Sequence, residues 1–261
     1  MSELAVLRAF AERLADRARP IARRYFRAEA ATLGLVDKAD ATPVTAADLE
    51  IEHALRDMIA ETYPEHGVLG EEHGAWHADA PWQWVIDPID GTRAFAAGKP
   101  QFGTLIALAH RGVPVLGVID QPITAERWLG VRGEGAWFNG VPVRTRAHPP
   151  RLADAVVFIT MPEQFVGPGA EAFARLRGAC KGVAYGGDCY NYALVASGHI
   201  DLVVEMGLKT VDFAALVNPI EEAGGVAVDW AGKALTLASD GSIVAAASRA
   251  LADEVLRVLR P

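Results

Sequence analysis

Residues 84–92 read Trp-Val-Ile-Asp-Pro-Ile-Asp-Gly-Thr: three bulky apolar residues run into two carboxylates, Asp87 and Asp90, and end on Gly91-Thr92. An apolar run of this kind predicts a buried strand. Asp-Pro and Asp-Gly are also ordinary turn formers, so a plain strand exit is one reading. The other is that the strand aims both acids at a ligand. Pro88 would then fix the turn, the Ile89 carbonyl would be free as a further oxygen donor, and Gly91 would let backbone N–H groups reach an anion.

Other acids at element ends bear on the choice. Gly70-Glu71-Glu72 follows the apolar Gly67-Val68-Leu69, and Asp212 stands just before a predicted helix over Phe213–Ala223. Taken singly, Asp212 reads as a helix cap and Glu71 or Glu72 as a loop charge. If Glu71, Asp87, Asp90 and Asp212 converge, each pair about 4 Å apart repels by roughly 4 kcal/mol at an effective dielectric near 20. Such a cluster needs cations. An all-oxygen donor set selects a hard divalent ion, and Mg2+ suits a site that it shares with a phosphate.

The rest of the chain sets the frame. With 261 residues and 51% apolar content it can bury a sizeable core. Its 25 basic and 33 acidic side chains give a net charge of −8, which argues against a nucleic-acid partner. No apolar run nears the roughly 18 to 20 residues of a membrane span, and Met1-Ser2-Glu3 lacks a signal peptide's basic segment, so a cytoplasmic address is the expectation. Cys180 and Cys189 form no CxxC pair and are expected to be buried free thiols.

Leu7, Phe10, Leu14, Ala18, Ile21 and Tyr25 mark an amphipathic helix with Pro20 as a kink, and a second helix is predicted over Thr45–Tyr63, capped by Thr45. Phe102–Ala109, Val115–Ile119 and Arg127–Val131 read as strands of a mostly antiparallel sheet, split at Gly112-Val113-Pro114 and Gln121-Pro122. Asn139-Gly140 signals a two-residue hairpin. Beyond His148-Pro149-Pro150 the pattern becomes α/β, with strands at Val156–Ile159, Ile200–Glu205, Val226–Val228 and Ile243–Ala247, and helices at Ala170–Leu176 and Cys189–Ser197. Two halves follow, 1–148 carrying the metal-type acids and 149–261 carrying selectivity.

Together, Gly-Glu-Glu at 70–72, Asp-Pro-Ile-Asp-Gly-Thr at 87–92 and an Asp at a late helix resemble the inositol monophosphatase family of metal-dependent phosphatases. Lys38-Ala39-Asp40, Pro43–Asp48, Glu205-Met206-Gly207 and Glu222–Gly225 extend the likeness over most of the chain. The resemblance implies an αβαβα layered fold, often homodimeric. It also implies two or more Mg2+ held by Glu71, Asp87, the Ile89 carbonyl, Asp90 and Asp212. Asp48 and Thr92 would activate the attacking water and Glu72 would assist. Lys38 reads either as added positive potential or as a solvated surface lysine.

Substrate is read from the second half. At Tyr185–Asn191 this chain has Gly187-Asp188 at the mouth of a helix. With Glu205, Asp188 would give the pocket two carboxylates beyond the metal cluster, suited to a substrate with cationic or N–H groups. Asp188 reads equally as a helix cap, Glu205 also as a surface residue, and Tyr190 as either a stacking or a packing aromatic. The stretch 186–205, with 99–108 and 117–128, most resembles the histidinol-phosphate phosphatase branch. The expected activity is therefore hydrolysis of L-histidinol phosphate, with inositol 1-phosphate, another polyol phosphate or a nucleotide 3'-phosphate as alternatives. A non-catalytic homologue would lack a ligand or the Asp48–Thr92 pair, and each position is filled. His73 and His77, separated by Gly74 and outside any HExxH, are read as loop residues rather than zinc ligands.

Overall fold

The computed structural model describes residues 3–38 and 43–260. Ala39 and Asp40, two of the residues that carry the resemblance, lie outside them. The chain opens with α1 (Glu3–Tyr25), α2 (Ala30–Leu33), a short pair β1 (Val36–Asp37) and β2 (Pro43–Val44), and α3 (Ala46–Thr62). Pro20 lies within α1, which continues through it. Then come β3 (Gly67–Gly70), β4 (Gly74–Trp76), β5 (Trp82–Asp90), α4 (Thr92–Ala96), β6 (Gly103–His110), β7 (Val113–Gln121), β8 (Glu126–Val131), β9 (Gly135–Phe138) and β10 (Val141–Pro142). These strands form a sheet of eight in the order β10-β9-β8-β7-β6-β5-β3-β4, antiparallel except where β3 meets β5.

The remainder comprises β11 (Val156–Ile159), α5 (Pro168–Ala179), β12 (Gly182–Tyr185), α6 (Asp188–Ala196), β13 (Leu202–Glu205), α7 (Thr210–Phe213), α8 (Val217–Glu222), β14 (Val226–Val228), β15 (Ile243–Ala246) and α9 (Arg249–Leu259). Its sheet of five runs β12-β11-β13-β15-β14, mixed in direction.

Three hydrophobic cores make the layers. Trp84, Ile86, Ile106 and Leu108 face α1 and α3, whereas Val85, Leu105 and Ala107 on the same strands face α6, α7 and α8. In the second sheet Val203 and Ala245 share that middle core, while Leu202, Val204, Val244 and Ala246 face α5 and α9. The architecture is thus αβαβα, and both sheets are covered on both faces. Double burial explains why their strands read as continuous apolar runs without polar alternation.

The Asn139-Gly140 hairpin forms with φ of 48° and 79°, pairing Val141 with Phe138. Several expectations are corrected. Val113 and Pro114 belong to β7; the turn is Arg111-Gly112, both at positive φ. The single helix expected over Phe213–Ala223 is two, separated at 214–216, because Pro219 has no N–H to give the Ala215 carbonyl. Strand β12 and helix α9 are additional. Cys189 is buried, but Cys180 is only half-buried.

Candidate active site

Asp87 and Asp90 are three residues apart, so a regular strand would point them to opposite faces. The pairing of β5 with β6 slips between them: Asp87 faces Leu105 and Asp90 faces Gly103, three residues against two. This extra residue is a bulge at Pro88-Ile89, and it restores both carboxylates to one side. Pro88 fits there since it has no N–H to contribute to the ladder, and its carbonyl accepts the Thr104 hydroxyl at 2.8 Å. The Ile89 N–H donates to Asp87 Oδ1 at 3.0 Å, which locks the turn.

The second half supplies the third acid. One carboxylate oxygen each of Asp87, Asp90 and Asp212 lies within 4.8 Å of the others. Asp212 is inside α7 rather than before a helix, and its Oδ2 accepts the Lys209 N–H at 2.7 Å, so it caps as well as converging. Asp90 Oδ2 accepts the Cys189 N–H at 2.7 Å, tying the cluster to the start of α6.

These acids line a cavity of about 300 Å³. Of the residues expected at the site, Glu71, Asp87, Ile89, Asp90, Gly91 and Thr92 line it from the first half. Asp188, Glu205 and Asp212 line it from the second. Asp48, Glu72 and Gly187 are not in its wall. Asp48 is fully buried at the base of α3, where its Oδ2 accepts the Thr45 N–H at 2.8 Å and the Thr45 hydroxyl at 2.6 Å in a capping box, while its buried Oδ1 has no hydrogen-bond partner among the described residues. The Thr92 hydroxyl donates to the Ile89 carbonyl at 3.0 Å, so no direct bond joins it to Asp48.

Lys38 is not a solvated surface lysine: its Nζ sits 3.2 Å from Glu71 Oε1 and 2.7 Å from Glu72 Oε1. Glu205 is not at the surface either. It is buried, with Oε1 accepting the Thr160 N–H at 2.6 Å and Oε2 the Tyr192 hydroxyl at 2.8 Å. Asp188 is not a cap, for Gly187 occupies that position at φ 113° and no side-chain cap bond forms. Tyr190 packs edge-on against Trp128 and donates its hydroxyl to Glu126 at 2.7 Å. His73 bonds Glu52 and His77 stacks on Trp76, away from the cluster.

Crowded buried acids resist ionisation. Burial, then the charges of Glu71 and Asp90, pushes the Asp87 carboxyl well up, and burial with Asp188 does the same to Asp90. Burial lifts Asp212 to about 6, Asp188 to about 6 with Glu205 adding to it, and Asp48 to about 7. Acidic oxygens and raised carboxyls lining one cavity fit a hard divalent cation, which would relieve the mutual repulsion. Residues not singled out from the sequence also enter the wall: Arg93, directly after the Gly-Thr pair, Lys209, which approaches Glu71 at 3.8 Å, and the Thr160–Gln164 loop, which has no local signature.

The layered fold and the carboxylate-walled pocket define a protein whose centre can take a hard divalent cation. A family model described as the inositol monophosphatase family matches residues 3–260. The bifunctional phosphatase IMPL2, chloroplastic, of Arabidopsis thaliana is 45% identical over 247 residues, covering 94% of this chain and 70% of its own. A histidinol-phosphatase of Chlorobaculum parvum is 36% identical, covering 89% of each. The solved structure of an inositol monophosphatase from Zymomonas mobilis superposes with a TM-score of 0.89 at 45% identity over 99% of both chains. The chain belongs to the inositol monophosphatase family.

Proposed function

We propose that this protein is a Mg2+-dependent phosphomonoesterase that hydrolyses L-histidinol phosphate to L-histidinol and phosphate, a step of histidine biosynthesis. The observation that carries the substrate is Asp188. Among the described residues it makes no hydrogen bond, yet it lines the pocket beside Glu205. Glu205 already spends both oxygens on protein donors. Arg93 offsets part of its charge, and a cationic amine or imidazole N–H that bonds the carboxylate would complete its partners on binding. The likeness to a histidinol-phosphatase supports the same choice.

In this reading Glu71, Asp87, Asp90, Asp212 and the Ile89 carbonyl would hold two or more Mg2+. Bound there, the ions would supply acidity for the attacking water and neutralise charge at the phosphoryl and leaving oxygens. Thr92 orients the water and Asp48 takes its proton through the unpartnered Oδ1. Gly91 and Thr92 offer backbone N–H groups to the phosphate, and Glu72 supports the cluster with Lys38. The Gly187 turn presents Asp188. The chain divides near residue 148, and a cytoplasmic homodimer is part of the same reading.

Phosphate release is the test, with and without Mg2+, on histidinol phosphate, inositol 1-phosphate and a nucleotide 3'-phosphate. Release is expected only with Mg2+, and Asp87→Asn or Asp90→Asn should lower it by roughly 10³-fold with the fold intact. Full activity in either variant sinks the metal assignment. A second substrate is favoured by the likeness to an inositol monophosphatase and a bifunctional phosphatase. If inositol 1-phosphate is turned over far better, that reading replaces the first.

A further inference from the structure

The turn that carries Glu71 and Glu72 between β3 and β4 is held by a side chain from another element. Glu52 lies on α3, one helical turn beyond Asp48, and is fully buried. Its Oε2 accepts the Glu72 N–H at 2.7 Å and its Oε1 accepts the His73 N–H at 3.0 Å. Arg56 donates Nε to the same Oε1 at 2.8 Å, and the His73 Nδ1 stands 3.2 Å from it. Arg56 also donates Nη2 to the Gly74 carbonyl, so the two side chains grip the turn at both ends. The fit is close. A Cβ on Gly70 would lie 2.1 Å from Glu52 Oε1 and 2.8 Å from Arg56 Nη2, which explains the glycine before Glu71.

A buried carboxylate is tolerated when charge-assisted donors surround it, and Glu52 has a guanidinium and two backbone N–H groups. It does not line the pocket. On the other side, the Glu71 N–H donates to the Ile86 carbonyl at 3.2 Å, one residue before Asp87. The turn is therefore stitched to β5 on one flank and to α3 on the other. Glu71 inherits its place relative to Asp87 from both.

We propose that Glu52 and Arg56 are positioning residues that fix the Glu71 carboxylate against the Asp87–Asp90–Asp212 cluster, and so set cation affinity without touching ion or substrate. The inference rests on the metal-site reading above. Because α3 also carries Asp48, one helix sets the register of the water-activating acid and of the turn that bears Glu71.

The test titrates metal-free full-length protein with Mn2+, following free Mn2+ by electron paramagnetic resonance, with circular dichroism and thermal unfolding in parallel. Glu52→Gln is expected to weaken Mn2+ binding by roughly 10- to 100-fold, and Arg56→Met to weaken it less, the range seen when the residues that orient metal ligands are removed. Saturating Mg2+ should restore most of the turnover. Glu254→Gln, which on α9 loses its bonds to Arg151 and the Leu152 N–H outside the pocket wall, should lower thermal stability without changing Mn2+ affinity. A folded Glu52→Gln protein with affinity within about twofold of the parent overturns the proposal, since a merely structural role predicts that. If Glu52→Gln does not fold, Arg56→Met decides: weaker binding supports the proposal and unchanged binding overturns it. Absence of Mn2+ binding by the parent would overturn the metal-site reading, and this inference with it.

Discussion

Asp188 holds a backbone conformation that L-residues avoid, with φ of 43°, directly after Gly186 at 81° and Gly187 at 113°. Such a conformation costs a non-glycine residue on the order of 1 kcal/mol, and Asp tolerates it better than most. Glycine at 188 would relieve the strain and remove a half-buried charge, so the carboxylate is retained against stability. Two variants separate its contributions. Asp188→Gly should unfold at higher temperature than the parent by about 1 kcal/mol of stability, while Asp188→Asn keeps the shape and removes only the charge. Both should raise KM for histidinol phosphate by roughly 10- to 100-fold, the value of one hydrogen bond to a charged group, and leave KM for inositol 1-phosphate nearly unchanged. Steady-state kinetics on the two substrates read this out. An unchanged KM for histidinol phosphate in Asp188→Asn removes the basis for a cationic substrate.

Elements, rather than single residues, bring Asp212 to the first sheet. Gly117 on β7 lies directly beneath the segment joining α7 to α8, and Gly130 on β8 beneath the first turn of α8. A Cβ on Gly117 would come 2.1 Å from the Ala215 carbonyl oxygen, and one on Gly130 2.2 Å from the Asn218 carbonyl carbon. Backbone cannot yield as a flexible side chain does. Gly117→Ala should therefore destabilise by about 1–3 kcal/mol and lift α7, weakening Mg2+ binding along with it. Gly178→Ala, where the new methyl meets nothing within 4 Å on α5, should instead be neutral or stabilise by about 0.5–1 kcal/mol. Thermal unfolding and Mg2+ titration of the pair check this; a Gly117→Ala protein as stable as the parent would show that the contact relaxes freely. These glycines also mark the limit of sequence reading. Asn139-Gly140 and the Thr45 cap were legible because turn and cap chemistry is local, and β5 and β6 because double burial leaves continuous apolar runs. The acids of the pocket were legible by residue type and neighbours. The bulge that turns Asp87 and Asp90 to one side, the break before Pro219 and the grip of Glu52 were not, because each depends on a partner far away in the chain.

At the scale of the molecule, α/β layers from both halves of an acidic chain concentrate carboxylates in one cavity, and stability must register that. The Asp212 carboxyl rises in the folded state from an ordinary 3.8 to about 6. Asp48 rises to about 7, and Asp87 and Asp90 move the same way. In the unfolded chain these groups lose their protons near the ordinary value. Between about pH 4 and pH 7 the unfolded state thus ionises first, and each raised group's contribution, complete below that range, is lost as pH climbs through its folded value. For Asp212 alone the loss is on the order of 3 kcal/mol. Divalent cations held by the ionised cluster would reverse the sign, because they would bind only the folded state, adding about 2.7 kcal/mol at a hundredfold excess over Kd. Calorimetry from pH 5 to pH 8 should show the metal-free protein losing thermal stability as pH rises, and the Mg2+-saturated protein holding or gaining it. The gap between the two curves should widen steadily toward pH 8. A gap that stays constant across the range would mean that the acids do not ionise together at the cation site, and the cluster would then be a feature of packing rather than of catalysis.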